Sequence, residues 1–266
     1  MDGRQPTALS HFQVRPLQGL TGRMLRLYPL PVREVSAIYE DLDLRPARPR
    51  DASRPYAILN MVGSVDGRAA VEGKASGLGS ETDRQTMRTL RARADAVMVG
   101  AGTLRAERLS LGLDAQAGPQ PLAVIATTSG AIPLEANLIV KEGQRVLVMA
   151  REDIVLRHGE QHAVLRLSAD AAGNLDLGGG LQVLKSEYGV ELLVVEGGPR
   201  LNYSLLSQNL ADELFLTLAP KVLGGALSGS PALLEGPTLL ATQMNLLSVH
   251  LADDELFLRY RTRDVA

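Results

Sequence analysis

The chain has 266 residues, 45% of them hydrophobic, enough for one large core or for one domain with an appendage. Its formal net charge of -2 gives no global electrostatic case for nucleic acid or an anionic membrane, and the lack of cysteine excludes disulfides, thiolate metal sites and cysteine nucleophiles. With 3% aromatic residues and no Trp, base-stacking platforms are not expected, and no apolar run approaches the roughly 20 residues of a membrane helix.

The opening MDGRQPTALSHFQV lacks the apolar stretch of a signal peptide, and a reducing cytoplasm fits the composition. Residues 1–54 carry scattered Arg and Pro, ending in R-P-A-R-P-R at 45–50, and read as an irregular N-terminal extension. Tyr28, Leu30 and Val32 suggest that part of it is laid on the main body, with dimerisation or lid formation as the alternative role.

A regular domain is expected over 55–266. Y-A-I-L-N-M-V at 56–62 is strand-like, and S-V-D-G-R at 64–68 supplies a turn. S-E-T-D at 80–83 offers an N-cap, followed by helical spacing at Met87, Leu90 and Ala94. Buried strands follow at 94–100, 121–127 and 144–150. A short run A-V-L-R-L and a Gly-rich loop at 178–180 come next, then a helix through Leu181, Leu184 and Tyr188. The strand V-E-L-L-V-V at 190–195, a helix over about 199–209 and a strand at 213–219 lead to a terminal hairpin that turns near A-D-D-E. In that hairpin Leu246, Val249, Leu256 and Leu258 are assigned to the core in preference to a dimer seam. Near-continuous apolar strands alternating with helices imply an α/β fold with a mostly parallel sheet, covered on both faces and finished by an antiparallel hairpin.

In such sheets ligands bind beyond the carboxyl ends of the strands. Two strands end in glycine there: V-M-V-G-A-G-T at 97–103 and V-V-E-G-G-P at 194–199. Glycine admits close backbone approach and positive φ, and Pro199 suits the first turn of a helix whose free N–H groups favour an anion. Neither turn is a G-x-G-x-x-G or Walker fingerprint. Glu196, a carboxylate at a buried strand end, requires either a structural ion pair or a ligand. Asp66 reads first as a turn residue and second as a ligand contact. His11, His158, His162 and His250 form no local metal pattern, so no metal is expected.

Several segments together resemble one family. They are N-M-V-G-S-V-D-G-R at 60–68, L-R-A-R-A-D-A-V-M-V-G-A-G-T at 90–103, E-G-G-P-R-L at 196–201, and L-A-D-E-L-F-L-T-L-A-P-K-V-L-G-G at 210–225. In order and spacing they are similar to the RibD C-terminal domain family, the pyrimidine reductases of riboflavin biosynthesis. The resemblance covers about 55–262 and implies a dihydrofolate-reductase-like fold. It also implies NADPH as cofactor, a homodimer, and reduction of the ribose of a 5-amino-6-(5-phosphoribosylamino)uracil-type pyrimidine to ribityl. It places Val62, Gly100, Gly102, Thr103, Gly197, Gly198, Pro199, Arg200 and Leu201 against the cofactor. It places Asn60, Asp66, Ser76, Arg91, Leu111 and Glu196 toward the substrate. Lacking an H-x-E…P-C-x-x-C set, the chain is not expected to deaminate.

The sequence departs from the family at A-E-R-L-S-L-G-L, 106–113, where the riboflavin enzymes carry D-D-P and then L-T-x-R. Glu107 keeps the first carboxylate; the second Asp, the Pro and the downstream Arg are missing. Arg105 and Arg108 are the candidates to replace that Arg. Glu107 is the expected proton donor to the reduced substrate, since partial desolvation raises a carboxyl pKa. Arg151 is the candidate for a cofactor 2′-phosphate. The altered loop also motivates two rival readings: another small-molecule reductase of dihydrofolate-reductase type, or a non-catalytic NADPH-binding protein.

Overall fold

The computed structural model describes residues 22–44, 49, 51–114, 118–156, 162–170, 173–224 and 230–263. Most of the R-P-A-R-P-R run, His11 and His158 lie outside the described residues.

The elements in chain order are β1 (Met24–Tyr28), β2 (Arg33–Val35), β3 (Tyr56–Ser64), α1 (Glu81–Arg91), β4 (Ala96–Gly100), α2 (Ala101–Ala106), β5 (Leu122–Thr127), α3 (Leu134–Asn137), β6 (Val146–Arg151), β7 (Ala163–Leu167), α4 (Leu177–Tyr188), β8 (Leu192–Val195), α5 (Pro199–Ser207), β9 (Glu213–Ala219), β10 (Met244–Ala252) and β11 (Glu255–Thr262). All strands join one sheet in the order β2-β1-β10-β11-β9-β3-β8-β4-β5-β6-β7. From β9 to β7 every pairing is parallel, and from β9 to β2 every pairing is antiparallel. This is the expected α/β sheet with an antiparallel finish.

The central strands have no polar face, because both faces are covered. Along β4, Val97 and Val99 enter one core cluster with Leu90 of α1, while Ala96 and Met98 enter the other with Leu181 of α4 and Leu205 of α5. The hydroxyl of Ser80 caps α1 by accepting from the Asp83 N–H at 3.2 Å. That helix ends at Arg91, one turn earlier than the spacing through Ala94 suggests.

Three expectations are corrected. Residues 24–35 are not an irregular extension: β1 pairs with β10 and β2 with β1, extending the main sheet. The following turn drops Ile38, Tyr39, Leu42 and Leu44 into the cluster that holds Phe215 and Phe257. The glycines at 178–180 form the first turn of α4 rather than a loop, with Asp176 Oδ1 accepting from the Gly179 N–H at 2.9 Å. A Cβ on Gly180 would lie 2.9 Å from Leu167 Cδ1, so the missing side chain lets α4 approach β7. The terminal hairpin does not bury Leu246, Val249, Leu256 and Leu258. Leu246 is exposed and the other three are half-buried, and the core belongs to Phe257, His250 and Ala252 on the opposite face.

Candidate functional site

The chain leaves β3, builds β4 to β7 outward, and returns to insert β8 between β3 and β4. That reversal of strand order opens a crevice at the carboxyl ends of β3, β8 and β4. Both glycine turns lie there, side by side. Beyond the end of β8 the Gly100 N–H donates to the Gly197 carbonyl at 2.7 Å, and the Glu196 N–H to the Met98 carbonyl at 2.9 Å. Gly197 has φ +84°, and the Gly197–Gly198 peptide is cis. A Cβ on Gly198 would sit 2.9 Å from Thr103 Oγ1, and one on Gly100 would sit 3.6 Å from the Gly198 nitrogen. Glycine is thus needed at position 198, where α5 starts against α2, while a Cβ on Gly100 would make an ordinary contact. Gly198 caps α5 without a side-chain bond and Pro199 opens it, so the first N–H groups of that helix carry no side-chain partner. Gly102 is exposed, with only Arg105 Nη2, at 3.8 Å, near a notional Cβ. Arg200 is exposed and Leu201 is buried under the turn.

The polar half of the site is organised by Arg91, which grips Glu196 with two bonds of 2.6 Å and reaches the Gly112 carbonyl at 3.4 Å. Their side chains are 9% and 11% exposed, so this is a nearly dry ion pair. Burial works against the Arg91 charge, and the Glu196 carboxylate more than offsets it, raising the arginine pKa. Of the two readings of Glu196, the ion pair is what the residues form. Gly112 belongs to the altered loop, which is fastened by Gln120 bonding both the Leu113 N–H and its carbonyl, at 2.8 and 3.0 Å.

The other candidates separate. Asn60 and Val62 are half-buried on β3, in register with Phe215 and Thr217 of β9. Ser76 is exposed in a 3-10 turn, Ala75–Gly77, whose Ala75 N–H donates to Glu107 Oε1 at 3.3 Å. Ser76 and Glu107 are therefore neighbours. Asp66 is a loop clamp: it accepts from the Ser64 hydroxyl and the Leu223 and Gly224 N–H groups, bonds that pull its pKa to about 2. Leu111 is fully buried in the core, so its side chain packs and does not face a ligand. Arg105 is tied to the Ala131 carbonyl at 2.7 Å and Arg151 to Asp153.

Two residues escaped the sequence reading. Asp83, noticed only as part of the helix-start pattern, lies on the same sheet face as Asn60 and Val62, beside the Thr217 hydroxyl. Burial pushes its pKa up to about 6 against the Thr217 hydrogen bond, with Glu255 adding to the rise. Asn202 of α5 is fully buried next to Gly197 and Met61, and its Oδ1 has no partner among the described residues. Neither carries a local signal, because the strands that meet them, β9 at Asp83 and β3 at Asn202, are far away in the sequence. Among the described residues, no group of three His, Cys, Asp or Glu is placed to hold a metal ion. No helix among them is long and apolar enough to cross a membrane.

A family model described as the RibD C-terminal domain matches residues 55–257. The 2,5-diamino-6-ribosylamino-4(3H)-pyrimidinone 5′-phosphate reductase of Methanothermobacter thermautotrophicus is 31% identical over 175 residues, 65% of this chain and 81% of that protein. The protein of the same name from Archaeoglobus fulgidus is 30% identical over 198 residues, 70% of this chain and 89% of its own. Among solved structures, Acinetobacter baumannii RibD, form 1, aligns with a TM-score of 0.66 at 25% identity, over 80% of this chain and 59% of that one. On the match over 55–257, with the glycine turns and the buried Arg91–Glu196 pair inside it, this chain belongs to the RibD C-terminal domain family.

Proposed function

We propose that this chain is an NADPH-dependent reductase of riboflavin biosynthesis. It converts the ribose of a 5′-phosphorylated ribosylaminopyrimidine into a ribityl chain. The observation that carries the reading is the joining of two glycine turns at the strand-order reversal, directly beside a buried arginine–carboxylate pair. Two relatives that the chain covers over most of their length bear the name of such a reductase.

A dinucleotide phosphate fits these residues: open space at Gly102, close approach at Gly198, and the uncapped start of α5. Val62, Gly100, Thr103, Gly197, Pro199, Arg200 and Leu201 form the walls of that cradle in this reading. A reduced nicotinamide supplies the hydride when bound. The protein's work is placement and exclusion of water. Arg91 and Glu196, each holding the other, present a fixed edge to the pyrimidine; this reading adds Asn60 of β3 and Ser76 of the 75–77 turn as further substrate contacts, while Asp66 keeps its own loop in place. Glu107 accepts a backbone N–H, so its first task is to hold the turn that carries Ser76. E107Q with undiminished turnover and normal NADPH binding removes Glu107 from the chemistry.

The partner is a second copy of the chain. Leu214, Leu216 and Leu218 of β9 stand in register with Tyr260, Leu258 and Leu256 of β11, all half-buried on one sheet face. A face of this kind is suited to its own copy across a two-fold axis. Sedimentation of Leu258→Glu as a monomer, against a wild-type dimer, is the expected result; a monomeric wild type sinks it.

The second reading, another reductase on the same scaffold, is favoured by the altered loop, where Arg91 spends a contact on the Gly112 carbonyl. NADPH oxidation followed at about 340 nm with the deaminated phosphoribosylaminopyrimidine, beside dihydrofolate and a no-substrate control, separates the two. Turnover of the pyrimidine alone is expected. Tight NADPH binding without it sinks the proposed substrate.

A further inference from the structure

We propose that Asp83 is a catalytic residue of this reductase, the carboxyl that delivers a proton to the substrate as it is reduced. This rests on the reading of the previous subsection.

The assignment stands first on placement. Asp83 lies in the opening turn of α1, the helix that covers one face of the sheet beside Phe215 and Ile58. Its carboxylate folds back over Gly79 so closely that a Cβ there would overlap Oδ2, and the glycine clears the room. The carboxylate meets the Thr217 hydroxyl, and Thr217 is in register with Val62 on β3. Asn60, Val62 and Thr217 thus share one sheet face, with Asp83 of α1 set against it and Glu196 close enough to act on Asp83 electrostatically. That face is assembled by α1, β3 and β9 from separate parts of the chain.

Charge pairing comes second. Glu196 is neutralised by Arg91, and Glu255 is spent on the N–H and hydroxyl of Ser80. Glu81 takes both Arg84 and Arg88. Asp83 has no ion pair among the described residues, and its neighbours Glu255 and Glu196 repel its charge while Arg84 attracts it. Burial is the larger effect, and the carboxyl is held at a pKa of about 6. A group of that strength is partly protonated near neutrality and is easily reloaded from solvent, as a proton donor must be.

The reaction needs such a group. When the ribose is reduced, its C1 gains a hydride from the reduced nicotinamide. The bond from C1 to the ring oxygen breaks, and its electron pair leaves with that oxygen. The oxygen then takes one proton, here from the Asp83 carboxyl, and solvent restores that proton to the carboxylate. Glu107, engaged with the Ala75 N–H, is left to hold the turn at 75–77.

The test compares wild type with Asp83→Asn, which keeps the shape and the Thr217 partner but carries no acidic proton. Turnover with the pyrimidine is followed from about pH 5 to 8, and NADPH affinity by fluorescence titration. D83N is expected to lose about 100- to 10,000-fold in kcat, with NADPH affinity within twofold of wild type. The fall of wild-type kcat as pH rises through the titration of this carboxyl is expected to vanish in the variant. D83E, which restores the acid, is expected to recover part of the rate and the pH dependence. D83N within threefold of wild type and with the same pH profile overturns the assignment. A D83E as slow and as pH-independent as D83N also overturns it, since that pattern belongs to a packing role. Wild type inert towards the pyrimidine overturns the substrate reading and this assignment together, whereas an active wild type with an unchanged D83N overturns this assignment alone.

Discussion

Gly198 and Thr103 set how closely the loops of the site approach. Gly198 has no room for a Cβ because Thr103 Oγ1 would be 2.9 Å from it, and Thr103 belongs to the helix that follows the other glycine turn. Gly198→Ala is expected to cost about 1–3 kcal/mol, since overpacking must push α2 and α5 apart. Removing the hydroxyl that causes the clash makes room again. The double variant G198A/T103A is therefore expected to be more stable than the sum of its single changes predicts, by about 0.5–3 kcal/mol of coupling. Urea unfolding of the four proteins checks this, and strict additivity would mean that the two loops do not constrain each other. The same scale explains why Glu196 was ambiguous in the sequence. A carboxylate at a strand end must be paired, but its partner Arg91 lies 105 positions earlier in the chain.

At the scale of elements, the sheet is joined to its N-terminal strands through a buried histidine. His250 of β10 is 1% exposed, packs edge-on against Tyr39 at 4.9 Å, and neither ring nitrogen has a partner among the described residues. Burial lowers its pKa from 6.5 to about 4, with Asp41 opposing that and Arg26 and Arg33 adding to it. The sign follows. Between those two values the unfolded chain binds a proton that the folded chain refuses, so folding stability is full above about pH 6.5 and is lost as pH falls toward 4. His250→Leu is expected to flatten the melting temperature over that window relative to wild type. An identical slope in both proteins would show that other groups carry the acid sensitivity. Helix α4 makes a related point: three consecutive glycines read locally as a loop, yet an aspartate cap and the close passage of Leu167 make them the start of a helix.

For the whole molecule, residues 24–44 extend the sheet and contribute to the core. Ile38, Tyr39, Leu42 and Leu44 share one cluster with Phe215, Phe257 and Val97, which lie on three different strands. Leu42→Ala is expected to cost about 2–5 kcal/mol in a single cooperative transition, the figure for a true core position. A loss below 1 kcal/mol, or a separate early transition, would return the segment to the status of an appendage. A second long-range feature is the fully buried Arg54–Asp212 pair, bonded at 2.7 and 2.8 Å, which fixes the start of β3 to the start of β9. It anchors the two strands whose far ends carry Val62 and Thr217, at the opposite end from the site.

The apolar runs of β3 to β6, β8 and β9, the Ser80 cap, the terminal hairpin turn and the glycine turns were all legible in the sequence. Each depends on neighbouring residues alone: hydrophobic period, capping chemistry and the freedom of glycine. The family could be read as well, because its motifs are local strings in fixed order. The sequence did not tell that β8 returns between β3 and β4, and with it which glycine meets which. It did not tell that Leu111 turns inward, that the leucines of the hairpin face outward, or that Asp83 comes to rest beside Thr217. Those outcomes depend on strand order and on which face of an element is covered. Both are fixed only when segments far apart in the chain exclude water from one another.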